Sequence, residues 1–369
     1  MLPKSIKPRF FDTLSNMTGR YIKPSPYHKA TGLIARVYEQ VTDEFFINGP
    51  ITTHAVDPQL LAGVWMAERE IMLTDNQLSR ESKEALGVTF SQVNACTYCE
   101  DLINSVVYGA KEGKLAEQMR YRKQDEIEDH KTRQMHSWAL NSYNGDAEIL
   151  YKPPFSYSEA PEVLGSALMF NYFNRYVKVF FSGTPLIAPF SSKTIKSLLY
   201  RLTGIELHDS VIRRLQPGRA VDLLEPADLP DDLYWAADNP NISAAISRWA
   251  NVLDNVANVY VPESVQLCVK TEISAWQGES MGLSRSWVIP KTSMLNEAEE
   301  AAARLALITA FAPSQLSDDV ITDFQKHYDS DIELVVNVAW AAFMAARQVT
   351  GWLADKSGHF ANEQLAKAV

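Results

Sequence analysis

Helical periodicity runs through almost the whole chain and constrains its fold more than any other feature. Apolar side chains recur three and four residues apart in Gly32–Val41, and alternating strand patterns are scarce. Asn296 is a good N-cap for a run of strong helix formers that ends before Pro313, and Asp331–Trp352 continues in the same way. Proline-rich connections separate these runs. The sequence therefore predicts an all-α fold.

Size and charge limit the partners of this helical chain. Its 369 residues are 46% hydrophobic and 22% charged, so the chain can bury one or two full cores. The formal net charge of −10 argues against nucleic acid and anionic membranes as partners, because both attract basic clusters. We find no apolar run near the roughly 18 residues of a membrane span, and no apolar signal core at the start. These features predict a soluble, cytoplasmic protein.

The order of landmarks is similar in the two halves of the chain and indicates a faint internal duplication. Each half has a proline before a Trp-bearing amphipathic helix, then an acidic residue, and finally an Arg-bearing helix. The paired landmarks, separated by 172 to 184 residues, are Pro58 and Pro240, Trp65 and Trp249, Glu84 and Glu263, and Arg175 and Arg347.

This duplication predicts two tandem helical repeats, at residues 25–188 and 189–355, joined near Pro185 to Ser192. Residues 1–24 and 356–369 are then terminal extensions. The offset of 179 residues between Glu84 and Glu263 aligns Cys96 of the first repeat with Ala275. The second repeat is therefore a degenerate copy without a thiol pair.

A Cys-x-x-Cys pair, Cys96-Thr97-Tyr98-Cys99, stands where a helix is predicted to begin and contains two of the three cysteines. A helix N-terminus stabilises a thiolate, and a neighbouring thiol can close a disulfide, so the pair indicates redox chemistry. Two buried, inert cysteines are the main alternative. A structural zinc site is disfavoured, because it needs four ligands and the chain offers only Cys268 in addition. We expect Cys268 to fill core space.

Two segments, Leu78–Leu86 and Val93–Cys99, resemble the carboxymuconolactone decarboxylase-like superfamily and, more narrowly, its alkylhydroperoxidase AhpD branch. The closing helix segment Phe170–Arg175 is similar to the Asn-aromatic-Asn-Arg helix of that family. The resemblance implies an AhpD-like helical bundle and a homo-oligomer. Because the family has a Glu twelve residues before its first Cys, it also implies a role for Glu84.

By this resemblance Cys99 is the peroxidatic thiol, Cys96 the resolving thiol, and Glu84 the base or proton relay. The family has a His four residues after the second Cys and, in its best-known peroxidases, another directly before it. Here these positions are Ile103 and Tyr98, so Glu84, Tyr98 or a residue from elsewhere in the chain would have to handle the proton.

The chemistry of the residues leads to the same activity, a thiol-dependent reduction of alkyl hydroperoxides. A thiolate attacks one peroxide oxygen, and a buried carboxyl with a raised pKa returns a proton to the leaving group. The sulfenic acid then condenses with the partner thiol, and an external dithiol reductant, which a partner protein could supply, must reopen the disulfide. No bound cofactor or metal is expected.

Further candidate residues and functions remain open from the sequence. His54 and Arg175 are candidates for substrate binding, although packing or capping is the favoured role for His54. His130 and His136 lie near a charged stretch that is typical of a solvated helix face. The alternative functions are a lyase or isomerase of the decarboxylase type, and a non-catalytic helical protein with vestigial cysteines.

Overall fold

The computed structural model describes residues 3, 6–24, 26–110, 112–183 and 193–360. The described part is all-α, as predicted, and contains two isolated β-bridges but no strand. The α-helices are α1 (Lys7–Thr18), α2 (Gly32–Glu44), α3 (Gly49–Thr52), α4 (Pro58–Glu68), α5 (Arg80–Val93), α6 (Thr97–Gly109), α7 (Gly113–Arg120), α8 (His130–Leu140), α9 (Ala160–Phe180), α10 (Lys193–Val211), α11 (Pro240–Tyr260), α12 (Glu263–Ala275), α13 (Ile289–Thr292), α14 (Glu297–Phe311), α15 (Asp318–Gln325) and α16 (Asp331–Ser357).

Shorter helical turns connect these helices. One is a π-helical turn, Arg69–Leu73, which directly continues α4. The 3-10 turns are Tyr27–Lys29, Thr53–Val56, Gln124–Glu126, Glu148–Tyr151, Tyr157–Glu159, Val221–Leu223, Asp231–Ala236, Arg285–Val288 and Pro313–Gln315.

Side-chain caps explain where the long helices begin. Asp57 and Asn239 accept hydrogen bonds from the first-turn N–H groups of α4 and α11, and a proline follows each of them. Asn296 forms a capping box at the start of α14, and Ser330 forms one at the start of α16. The predicted start of α14 is confirmed, and α16 runs five residues beyond the predicted Trp352.

Corresponding helices of the two halves pack against each other in the centre of the molecule. Helix α9 packs along α16, and α4 packs against α11, within one continuous hydrophobic core. Such pairing is what two fused repeats would give. The bounds of the repeats remain a prediction, and the proposed joint near Pro185 to Ser192 lies outside the described residues.

Glycines allow an unusually close approach at two helix–helix contacts, one between α4 and α11 and one between α5 and α9. A Cβ atom on Gly63 of α4 would lie 2.9 Å from Trp249 Cδ1 of α11. A Cβ atom on Gly87 of α5 would lie 2.3 Å from the ring of Phe170 on α9. Real Cβ atoms do not approach this closely, so any larger residue would displace these aromatic rings.

A buried ion network fixes the end of α4 to α2. Arg69 pairs with Glu44 on one side and Glu70 on the other, and its Nη2 donates to Gln216 O over 3.0 Å. The Arg69 side chain is 1% exposed. Since unpaired charges are very costly inside a protein, the network strongly favours this arrangement of the π-helical turn.

Helix α16 is, among the described residues, the helix that is long and apolar enough to cross a membrane by length and composition. In this fold 72% of its most apolar window is buried. Its apolar character is thus accounted for by its place in the core, between α9, α11 and α14.

Candidate functional site

The two cysteines lie in the tight connection between α5 and α6. Ala95 has a positive φ of 49°, and the Cys96 N–H donates to Ser91 O over 2.8 Å, which turns the chain sharply after α5. Cys96 is the N-cap of α6, so the predicted helix start is confirmed. Both cysteines are free thiols and buried, and their Sγ atoms lie 2.8 Å apart. A disulfide requires only a small further approach.

The two thiols differ in acidity. Burial raises the pKa of Cys96, but hydrogen bonds from the Cys99 thiol and backbone N–H, with the nearby Lys178 charge, outweigh burial and lower it. The pKa of Cys99 is raised well above its usual value by burial, by its hydrogen bond to Cys96 and by the charge there. The first proton to leave the pair therefore leaves a thiolate on Cys96, and Cys99 stays protonated.

An apolar cavity of about 30 Å³ adjoins Cys99. Since a water molecule needs about 10–15 Å³ by this measure, a group of two oxygen atoms fits. Ile103, at the position where the related family has a His, is part of the wall, as are aromatic side chains from α9. The lining residues are Phe45, Asn48, Pro50, Ile51, Glu68, Cys99, Leu102, Ile103, Phe170, Phe173 and Val177.

Glu68 is the carboxyl group that the fold places in this cavity wall, and sequence reasoning did not select it. It is the last residue of α4, directly before the π-helical turn, and its Oε2 is buried without a hydrogen-bond partner among the described residues. Burial raises the pKa of Glu68 to about 7, against the opposing effect of Arg80 and with a further increase from Glu84. The only sequence signal was an acidic residue ending an otherwise apolar helix.

Glu84, the candidate chosen from the sequence, is buried on α5 but does not line the cavity. Its Oε1 accepts a hydrogen bond from Arg80 Nε over 2.7 Å, and its Oε2 has no partner among the described residues. Burial raises the pKa of Glu84 to about 7, although the Arg80 charge lowers it. Arg80 thus influences both Glu84 and Glu68, so the two carboxyl groups are electrostatically coupled.

Tyr98 and His54 are both buried, and neither lines the cavity. Burial raises the pKa of Tyr98, whose ring packs 5.2 Å from that of Phe181. His54 stacks on Tyr176 with the ring centroids 4.3 Å apart, and its Nε2 shares a hydrogen bond with the Tyr172 hydroxyl. Burial lowers the pKa of His54 to about 3, so its ring is neutral and serves the core.

Arg175 is separated from the Cys99 cavity and lines a different cleft, of about 250 Å³, together with Lys178, Asn94 and Ala95. The fold therefore places this candidate in a cleft whose wall includes Ala95, the residue directly before Cys96. His136 corrects one expectation, because it is 2% exposed and not solvated. Its Nδ1 shares a hydrogen bond with Thr89 Oγ1, since α8 turns this face towards α5.

Cys268 is half-buried and free, and its Sγ lies 3.5 Å from Lys291 O. Within the described ranges, no group of three or more His, Cys, Asp or Glu side chains is arranged to hold a metal ion. The fold brings together two thiols and the Glu68 carboxyl at this site, and the charge of Glu84 influences Glu68.

Comparison with known proteins is informative at the level of the whole chain. No protein-family model matches the sequence. The chain is 30% identical over 335 residues to alkyl hydroperoxide reductase Rv2159c of Mycobacterium tuberculosis, covering 90% of this chain and 94% of that protein. A similarity that spans nearly both chains and includes the dithiol segment agrees with the resemblance seen in the sequence. The chain belongs to the AhpD-like family of alkyl hydroperoxide reductases.

Proposed function

We propose that this protein is a thiol-dependent peroxidase that reduces alkyl hydroperoxides through a dithiol–disulfide cycle of Cys96 and Cys99. One observation carries the proposal: two free thiols lie 2.8 Å apart, and one of them lines an apolar cavity that also contains the buried Glu68 carboxyl. A nucleophile, a resolving thiol and a proton donor are then next to one small cavity. The name of the mycobacterial relative, an alkyl hydroperoxide reductase, supports the same activity.

In the first step, Cys99 attacks the terminal oxygen of the hydroperoxide. The Cys96 thiolate accepts the Cys99 proton across the 2.8 Å contact, and the O–O bond breaks as the S–O bond forms. Protonated Glu68 gives its proton to the alkoxide, so an alcohol leaves. Cys99 is oxidised to a sulfenic acid and the peroxide is reduced. Glu84 is the second carboxyl of this relay, coupled to Glu68 through Arg80.

In the second step, the Cys96 sulfur attacks the Cys99 sulfur. The S–O bond breaks, the hydroxyl takes the Cys96 proton and leaves as water, and a disulfide joins the pair. An external dithiol, delivered by a small molecule or a partner protein, then reduces this disulfide by thiol–disulfide exchange. No bound cofactor takes part in the proposed cycle.

The shape of the cavity supports a hydroperoxide with an apolar substituent as substrate. Its volume of about 30 Å³ accommodates the two oxygen atoms, while an alkyl group would have to displace ring side chains such as Phe45 or Phe173. The exposed side of the wall is apolar, which favours organic hydroperoxides over hydrogen peroxide. We expect the rate constant for an alkyl hydroperoxide to exceed that for hydrogen peroxide.

The test is single-turnover oxidation of the reduced protein by cumene hydroperoxide, followed by mass spectrometry of the peptide that contains both cysteines. The expected result is alcohol production together with a loss of two hydrogens from the peptide. The Cys96→Ser variant loses both the base and the resolving thiol, so it should react more slowly and stop at a sulfenic acid on Cys99, which dimedone traps. The Cys99→Ser variant should not react. Full activity of Cys99→Ser, or a pair that stays reduced while peroxide persists, would refute the proposal.

We further propose that the protein forms a homo-oligomer in the cytoplasm, where reducing conditions suit a cycling dithiol. Helix α10 carries an exposed apolar stripe at Leu198, Leu202 and Ile205, and the exposed Ile212 directly follows the helix; this pattern supports a contact with a second copy. Light scattering after size-exclusion chromatography measures the assembly, and a Leu202→Glu variant should dissociate it. A monomeric parent protein would end this part of the proposal.

A further inference from the structure

A second cleft shares no lining residue with the Cys99 cavity. It has a volume of about 250 Å³ and is formed by the end of α9, the connection between α5 and α6, and segments of the second half. Ala95, directly before Cys96, is part of its wall. The cleft is therefore near the resolving thiol and separate from the proposed peroxide cavity.

Arg175 gives this cleft a buried cation that no carboxylate neutralises. Its side chain is 6% exposed, and among the described residues it forms no ion pair. Nε donates to Ala310 O over 2.8 Å and Nη1 donates to Asn171, whereas Nη2 makes no hydrogen bond within the described ranges. Burial lowers the pKa of Arg175 to about 10, so it stays charged at neutral pH. A buried charge of this kind favours an anionic partner.

Lys178 adds a second cation one helical turn along α9. Its Nζ donates to Asn94 O over 2.6 Å and forms no ion pair in the described part of the chain. The acidic residue of the lining is Glu279, which is exposed and whose Oε2 accepts a hydrogen bond from the Gln277 N–H. The inner end of the cleft is consequently positive, with its single carboxylate at the rim.

Aromatic side chains form the remaining walls. Trp276 lies under the Arg175 guanidinium, 5.8 Å from its ring to Cζ, and Trp352 and Phe311 complete the apolar surface. By the measure used for the Cys99 cavity, about 10–15 Å³ for each water molecule, the cleft has room for roughly 17 to 25 water-sized groups. We propose that this cleft binds a small ligand that carries a carboxylate and an apolar body, with the carboxylate held by Arg175 and Lys178.

The ligand's place in the redox cycle rests on the proposed peroxidase function. A dithiol that carries a carboxylate would bring its thiolate to the Cys96 side of the disulfide. That thiolate attacks Cys96 Sγ, the S–S bond breaks, and Cys99 leaves with the proton that the attacking thiol released. The second thiol then displaces Cys96, leaving the ligand as a disulfide and the protein as a dithiol.

Equilibrium binding tests the site without any peroxide. Calorimetry with 3-phenylpropionate should give saturable binding, and the neutral 3-phenylpropan-1-ol should bind at least about tenfold more weakly, the value of one charge-assisted hydrogen bond. Lys178→Gln keeps a hydrogen-bond donor but removes the charge, and should weaken binding by a similar factor. Lys270→Gln is the matched control, because Lys270 lines a separate cleft with Arg347. Equal binding of acid and alcohol, no binding, or no effect of Lys178→Gln overturns the site.

The rate of disulfide reduction tests the link to the cycle. In excess, anionic 3-mercaptopropionate should reduce the oxidised parent protein at least about tenfold faster than it reduces Lys178→Gln. The neutral 3-mercaptopropan-1-ol meets Lys178 only through its effect on the cysteine pKa values, and should lose much less of its rate in this variant. If Lys178→Gln slows reduction by the anionic and the neutral thiol equally, the cleft does not bind the reductant through its carboxylate. Ligand binding is measured on the protein without peroxide, so the two proposals fail separately. Failure of peroxide turnover would refute the peroxidase function but not the ligand site, and absence of binding would refute the ligand site but not the peroxidase function.

Discussion

Glu68 should influence the pH dependence of both stability and peroxide reduction, and the substitution Glu68→Gln tests both. The side chain is fully buried beside the Cys99 cavity, and burial raises its pKa from 4.5 to about 7. Gln has nearly the same shape but cannot ionise or donate a proton as an acid. The variant therefore isolates the titration of this one group.

The stability effect follows from proton linkage. Because the pKa is higher in the folded protein, the folded state binds more protons between pH 4.5 and 7, so stability falls as pH rises through this range. A change of one pKa unit corresponds to about 1.4 kcal/mol, so Glu68 removes about 3 kcal/mol of stability between pH 4.5 and 8. In Glu68→Gln this contribution is absent, and the decline should be about 3 kcal/mol smaller. Guanidinium unfolding at several pH values measures it.

Glu68→Gln should slow peroxide reduction, although it should make the protein lose less stability as pH rises. Loss of a general acid typically slows a reaction by about 10²–10⁴-fold, and we expect this for oxidation of Cys99 in Glu68→Gln at pH 6. Only the protonated form of Glu68 acts as the acid. With a pKa of about 7, its protonated fraction falls about tenfold between pH 6 and 8, so the ratio of parent to variant rate should fall equally. Stopped-flow fluorescence of the reduced protein gives these rates.

Glu84→Gln is the matched comparison on the same electrostatic cluster. Because Glu84 accepts a hydrogen bond from the buried Arg80, its replacement leaves that cation unpaired and should destabilise the protein by about 3–5 kcal/mol. Within the described ranges Glu68 accepts no such hydrogen bond, so the two variants should differ in stability at pH 8. The reasoning about Glu68 is refuted if Glu68→Gln keeps the parent rate at pH 6, or if its stability keeps the parent's pH dependence.

Three further predictions concern other parts of the structure. Arg69→Met leaves the buried Glu70 without its cation and Glu44 with only the half-exposed Arg219, and should lower the free energy of unfolding by about 3–5 kcal/mol, measured by urea denaturation. Gly87→Ala places a Cβ against the Phe170 ring in the cavity wall, and should cost about 1–3 kcal/mol and slow peroxide reduction. Its control is Gly351→Ala on α16, where a Cβ meets no atom within 4 Å. If thermal melts show that both variants lose the same stability, the proposed clash at Gly87 is wrong. Finally, limiting iodoacetamide at neutral pH should modify Cys96 before Cys99, because the pKa of Cys96 is lowered. Peptide mapping measures the order, and modification of Cys99 first would contradict the prediction.

The helices and their limits were largely predictable because the determinants are local. Spacing of apolar residues at three and four positions, together with the Asn296 cap and Pro313, placed α14 correctly. The helix start at Cys96-Thr97 was also readable, since the pair stands at the first turn of a new apolar period. The repeat bounds stay a prediction, because the proposed joint lies outside the described residues.

The sequence predicted less about which polar side chains meet. Glu84 was selected by its spacing to Cys96, and it is buried as a relay group should be, but the cavity beside Cys99 contains Glu68 instead. His136 was placed on a solvated face because its neighbours are charged, yet its helix turns it into the core. In both cases a neighbouring helix, not the local sequence, sets the environment of the side chain.

By itself, the sequence determined the all-α class, the dithiol at a helix N-terminus and the membership of a redox family, because periodicity, caps and motif spacing are properties of short segments. The tertiary structure decided that Cys99 faces one cavity with Glu68, that Arg175 faces another cleft whose wall includes Ala95, and that His54 belongs to the core. These outcomes depend on how α4, α5, α6 and α9 pack, with contacts as close as that at Gly87. Burial and the charges brought near by packing set each pKa, and neither is encoded in residue spacing.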